Sequence, residues 1–104
     1  MPLAHKPARL IVLNTGQSIP LDAPPMTVGR RDPAFGPDPE IVFTNRHVGR
    51  RHAVIDEKEG YTIQDLKSRN MTTLNGVTLT PGQEYALHDG DMIMFGPVKV
   101  RFEH

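Results

Sequence analysis

The sequence predicts an all-β sandwich or barrel of roughly ten short strands. Three observations carry this. Ten prolines and nine glycines are spread through 104 residues, a density that breaks long helices and suits strands joined by turns. No window shows the apolar period of an amphipathic helix. The closing segment does show the alternation of a half-buried strand, with Val98, Val100 and Phe102 between Lys99, Arg101 and Glu103.

The elements follow in order. Residues 8–14, ARLIVLN, form a β-branched apolar run between Pro7 and the turn NTG, and read as a buried strand. QSIPL (17–21) is a weak strand, and Pro20 marks it as an edge. MTVG (26–29) and EIVF (40–43) are short strands around a proline-rich loop, 30–39. A second polar loop, TNRHVGR, leads into a hairpin of RHAVID and GYTIQDL around EKEG. The third, KSRNMT, precedes TTLNGVTL, where Asn75-Gly76 supplies the two positive φ values of a type I′ turn. EYALH is a further strand, and DGDMIMFGPVKVRFE closes the chain. The methionines, including Met92 and Met94, read as core filler.

Bulk properties exclude several classes of function. The formal net charge is zero, against the basic excess of a general nucleic-acid or membrane-surface binder. No cysteine is present, which removes disulfides, thiolate nucleophiles and cysteine-ligated zinc, and fits a reducing compartment. No apolar run is long enough to span a bilayer, and MPLAHKPARL lacks the apolar core of a signal peptide, so a cytoplasmic location is expected. The final strand runs to the last residues, which reads as a domain excised from a longer protein.

Chemistry concentrates in the three polar loops. Arg30, Arg31, Arg46, Arg50, Arg51 and Arg69 lie in or beside them, and arginine suits bidentate recognition of phosphate or carboxylate. The competing reading pairs these arginines with Asp32, Asp38 and Glu40 as solvated loop charges. Sequence pattern alone does not bring the loops together. His47 and His52 have no third ligand at metal-binding spacing, and structural roles are expected. Ser68, His52 and Asp65 can be written as a triad, but no nucleophile-elbow motif surrounds Ser68. With no Walker loop and no paired carboxylates, neither enzyme activity, a metal nor a cofactor is expected. Phe35 is the only aromatic residue within a basic loop, too few for a single-strand nucleic-acid binder.

Four ordered segments, VGRR (28–31), GRRHAVI (49–55), IQDLKSRNMTTLNG (63–76) and LHDGDMIMFG (87–96), resemble a forkhead-associated (FHA) domain over nearly the whole chain. The resemblance implies one domain over residues 1–104, with its core at about 8–103, and an eleven-stranded sandwich whose loops at one end bind phosphothreonine peptides. It implies that Arg30, following Gly29, contacts phosphate and that Arg50 helps to hold phosphate or peptide. It further implies that Asn70, beside Arg69, bonds the peptide backbone. His52 then braces the loops, Asp65 and Leu66 position the Asn70 loop, and Asn75 and Gly76 form the hairpin already read from the residues. The implied partner is a phosphothreonine-containing protein.

Two positions depart from the family pattern. Gly49 stands where the family keeps a serine whose hydroxyl donates to phosphate. One such bond is worth roughly 1.5–3 kcal/mol, or about ten- to a hundred-fold in affinity. The glycine amide, His47, Arg46 or Arg69 could stand in for it; otherwise Gly49 marks a lost site and a phosphate-independent interaction or dimerisation domain. Met71 stands where the family keeps a glycine. Methionine resists positive φ, so a different turn is expected around Asn70.

Overall fold

Eleven strands build two sheets in the computed structural model, which describes residues 7–104. Residues 1–6, included in the expected domain, lie outside the described residues. The strands are β1 (Arg9–Val12), β2 (Ser18–Pro20), β3 (Met26–Gly29), β4 (Ile41–Val42), β5 (Ala53–Glu57), β6 (Tyr61–Asp65), β7 (Thr72–Leu74), β8 (Val77–Thr78), β9 (Tyr85–Ala86), β10 (Met92–Phe95) and β11 (Val98–Glu103). Each predicted segment holds a strand, and the closing segment holds two, β10 and β11.

One sheet runs β2-β1-β11-β10-β7-β8 and the other β4-β3-β5-β6-β9. Pro20 lies on the edge strand β2, where its missing N–H breaks no ladder. Asn75 (φ 50°) and Gly76 (φ 83°) make the β7–β8 turn with the expected pair of positive angles. Among the described residues, no helix is long and apolar enough to cross a membrane.

The core lies between the sheets. Leu10 and Val12 pair with Phe102 and Val100, and Val100 with Ile93, so one face of the first sheet is apolar. Val28, Ala53, Ile55 and Ile63 face it from the second. Aromatic rings join the layers at Phe43–Phe95 (5.9 Å) and Tyr61–Phe102 (5.5 Å). Tyr61 also accepts the Ala8 N–H at 3.1 Å through its hydroxyl.

Most methionines do not fill this core. Met26 is buried, but Met92 and Met94 are only partly covered and Met71 is exposed; Met1 lies outside the described residues. Register explains the correction. Ile93 and Phe95 turn inward, which places Met92 opposite Arg101 and Met94 opposite Lys99 on the outer face.

Candidate functional site

One row of the second sheet explains how three loops meet. Val28, Ala53 and Asp65 are paired across β3, β5 and β6. β4 runs parallel to β3 and ends beside it. Beyond this row β3 enters residues 30–40, β5 emerges from 43–52 and β6 enters 66–71. All three polar loops therefore start or finish at the same end of the sandwich.

Backbone contacts then fasten the loops to one another. Arg30 N–H donates to Gly49 C=O at 3.0 Å, and His52 N–H to Val28 C=O at 2.8 Å. Between these bonds β3 passes so close to the second loop that a Cβ on Gly29 would lie 2.1 Å from the Arg50 carbonyl oxygen. Gly29 is thus needed for close approach.

His52 is wholly buried and ties the second loop to the third. Its Nε2 bonds the Met71 carbonyl at 2.9 Å and its Nδ1 accepts the Gly49 N–H at 2.9 Å. A carbonyl only accepts and an amide N–H only donates. The ring must therefore be neutral, with its proton on Nε2. Burial pushes its pKa below the usual histidine value, outweighing the Met71 bond and the charge of Asp65. The ring packs edge-on against Phe95, 5.9 Å between centroids.

Asp65, also buried, orders the third loop by accepting the Ser68 N–H (3.1 Å), the Ser68 hydroxyl and the Thr72 hydroxyl (2.7 Å). Ser68 thus bonds to Asp65, while the His52 ring is committed to Gly49 and Met71, so the three form no catalytic relay. Met71 departs from expectation. It takes φ 66°, the conformation a glycine would supply, with its carbonyl held by both His52 and Gly96 N–H (3.0 Å). The turn that methionine was expected to refuse is imposed by these bonds.

Asn70 closes the arrangement, its side-chain amide donating to His47 C=O at 2.8 Å. Gly96 sits beneath this contact, where a Cβ would lie 2.9 Å from the His47 carbonyl oxygen. Sequence reasoning missed Gly96 as a support. Its signal was a glycine at a strand end before Pro97.

Arg30, Gly49, Arg50, Arg69 and Asn70 line one open hollow of about 490 Å³, with Gly29, His52 and Asp65 outside its lining. Asn75 and Gly76 do not line it. Asn75 instead bonds Asp91 (2.9 Å) and the Met92 N–H (2.9 Å). The walls carry Arg30, Arg46, Arg50, Arg51, Lys67 and Arg69 and no carboxylate. A larger groove of about 710 Å³ elsewhere has Lys99 as its sole charged wall residue. The charge separates the two, and only the first hollow suits an anion.

The free cations are fewer than the count suggests. Arg50 pairs with Asp32 at 3.3 Å and Arg31 with Asp38 at 2.8 Å. Glu40 binds no arginine and accepts the Thr27 N–H at 2.7 Å. The Arg50 and Arg51 guanidinium groups lie 4.6 and 5.6 Å from the centre of the half-exposed Phe35 ring. The Gly49 amide faces His52, so it is not free to replace a serine hydroxyl. Arg30 is anchored through Nε to Val48 C=O at 3.0 Å, which leaves its terminal nitrogens for a ligand.

Comparison with known proteins places this geometry. FraH of Nostoc sp. is 34% identical over 96 residues, covering 86% of this chain and 32% of that protein. The structure of Mycobacterium tuberculosis EmbR in complex with a low-affinity phosphopeptide superposes with a TM-score of 0.84 at 29% identity, over 95% of this chain and 24% of that one. The MEK1 FHA domain, solved with a HOP1 phosphothreonine peptide, gives a TM-score of 0.75 at 28% identity, over 95% of this chain and 97% of that one. The chain spans about a third of FraH and a quarter of EmbR. The family model of the FHA domain matches residues 26–96, from the strand that carries Gly29 to the glycine beneath Asn70. On that match, and on the two-sheet fold its relatives share, the chain belongs to the FHA domain family.

Proposed function

We propose that this domain binds protein segments bearing phosphothreonine at the hollow formed by residues 30–40, 43–52 and 66–71, as a recognition module and not an enzyme. The observation that carries the proposal is a hollow walled by six cationic side chains and no carboxylate. Phosphothreonine brings close to two negative charges and three strong acceptor oxygens. Arg30 and Arg50 would take the phosphate, Asn70 and Arg69 the adjoining peptide. FHA relatives solved with phosphopeptides support this reading. The absence of cysteine agrees with a cytoplasmic setting.

The test is calorimetric titration with a library of threonine peptides, phosphorylated and not. Measurable binding is expected only for the phosphorylated set. Arg30→Ala should weaken it about ten- to a hundred-fold, the worth of hydrogen bonds to a charged group. Equal binding of both sets would refute the proposal.

Gly49 makes a second expectation possible. An added Cβ would meet nothing nearer than His52 Nδ1 at 3.5 Å, an ordinary contact, so serine fits. Gly49→Ser should tighten phosphopeptide binding about ten- to a hundred-fold by adding a hydroxyl donor to phosphate. An unchanged affinity would show that this position does not face the phosphate.

One observation favours a phosphate-independent interaction domain instead. The position has no hydroxyl and its amide is already bonded to His52. On that reading a partner captured by the wild type is equally retained by Arg30→Ala.

A further inference from the structure

The carboxylate that pairs with Arg50 at the proposed phosphate site is held there by its own loop. Asp32 Oδ1 accepts the Ala34 N–H at 3.1 Å, and Asp32 C=O accepts the Phe35 N–H at 2.9 Å. This tight turn fixes the side chain and leaves Oδ2 directed at Arg50 Nη1, 3.3 Å away. The same turn places the Phe35 ring 4.6 Å from the Arg50 guanidinium carbon. Arg50 is thus held by an anion on one side and an aromatic face on another, both from a single short segment.

We infer that Asp32 is a built-in competitor for the ligand phosphate, occupying Arg50 in the free domain and lowering the affinity for phosphopeptide. The inference rests on the phosphate-binding reading above. A ligand that engages Arg50 must displace the Asp32 carboxylate, and the displaced charge then stays beside the incoming phosphate. The pair is half exposed, with side-chain accessibilities of 48% for Arg50 and 26% for Asp32. Exposed pairs of this kind are weak. A phosphate dianion can therefore replace the carboxylate, at reduced net affinity.

Asp32→Asn isolates the effect, because asparagine keeps the oxygen that caps Ala34 and removes the charge from Arg50. Asp38→Asn is the control. It removes the same charge from the same loop, but Asp38 pairs with Arg31, whereas Asp32 pairs with Arg50.

The probe is the tightest phosphothreonine peptide selected from the library, titrated into variants shown to be folded by circular dichroism. Asp32→Asn is expected to bind about two- to fivefold more tightly than wild type. Asp38→Asn should stay close to wild type, and the Asp32→Asn gain should vanish in an Arg50→Ala background. Unchanged or weaker binding by Asp32→Asn overturns the inference and leaves the phosphate reading standing. So does an equal gain from Asp38→Asn, or a gain that persists without Arg50. If folded wild type and Asp32→Asn both ignore phosphopeptides, the phosphate reading falls and the inference falls with it.

Discussion

Gly29→Ala is expected to remove about 3–5 kcal/mol of stability. Its new Cβ would lie 2.1 Å from the Arg50 carbonyl oxygen and 2.8 Å from the carbonyl carbon, both backbone atoms that no rotamer change can move aside. Overpacking costs roughly 1–3 kcal/mol, and separating the strands to relieve it strains the two flanking backbone bonds, each worth about 1 kcal/mol. Those bonds, Arg30 N–H to Gly49 C=O and His52 N–H to Val28 C=O, hold Arg30 and Arg50 at the hollow. Phosphopeptide binding should therefore fall with stability. Gly49→Ala, across the same contact, meets no atom nearer than 3.5 Å and should leave the urea midpoint almost unchanged. Equal midpoints for Gly29→Ala and wild type would mean that the strand and the loop do not meet so closely.

Local patterns were legible wherever adjacent residues differ in polarity. The β11 alternation of Val98, Val100 and Phe102, the Asn75-Gly76 turn and the Pro20 edge each depend on a few neighbouring residues, and each stands where it was read. β10 was not legible in this way. Met92, Ile93, Met94 and Phe95 are all apolar, so either alternate set could face the core; pairing with Lys99 and Arg101 on β11 decides it. Local propensity also failed at Met71, where bonds from His52 and Gly96 impose a positive φ.

The site divides along the same line. Residue types marked the loops, and the ordered motifs, through the family resemblance, implied Arg30, Arg50 and Asn70. Their grouping at one hollow depends on the pairing of Val28, Ala53 and Asp65 across three strands, which no single stretch encodes. Pairing of loop arginines with acids holds for Arg50 and Arg31 but not for Glu40, which bonds a backbone amide. The Gly49 amide could not be assigned from sequence either, because its partner is the ring of a buried histidine whose tautomer follows from a third loop. The architecture is therefore compatible with glycine at position 49. His52 bonds the backbone at position 49, and the side chain there is not part of the brace.

His52→Ala should be as severe as Gly29→Ala, at about 3–5 kcal/mol. It opens a cavity and leaves two backbone groups, the Gly49 N–H and the Met71 C=O, without partners. Neither conservative replacement restores both. Asparagine can present an oxygen near the Nδ1 position, and glutamine an amide near Nε2, so each should recover part of the loss. Full stability in both variants would show that the ring does not act as a two-ended brace. The same geometry fixes the sign of a pH effect. A protonated ring would put an N–H against the Gly49 N–H, and burial already holds the folded-state pKa below the usual histidine value of 6.5. The unfolded chain therefore binds more protons in the window just below that value, and stability rises with pH there. The contribution is fully present above the unfolded pKa and is lost as the pH falls toward the folded one, by at most about 1.4 kcal/mol per pH unit. Glu103 titrates below this window, since Arg101 and Arg9 hold its carboxyl under the usual carboxylate range. Urea midpoints measured at about pH 7.5, 6.5 and 5.5 should thus decline in the wild type, and the decline should flatten in His52→Gln, where the titrating group is gone. A wild type equally stable at all three would mean that His52 accepts its second proton without breaking the bond to Gly49.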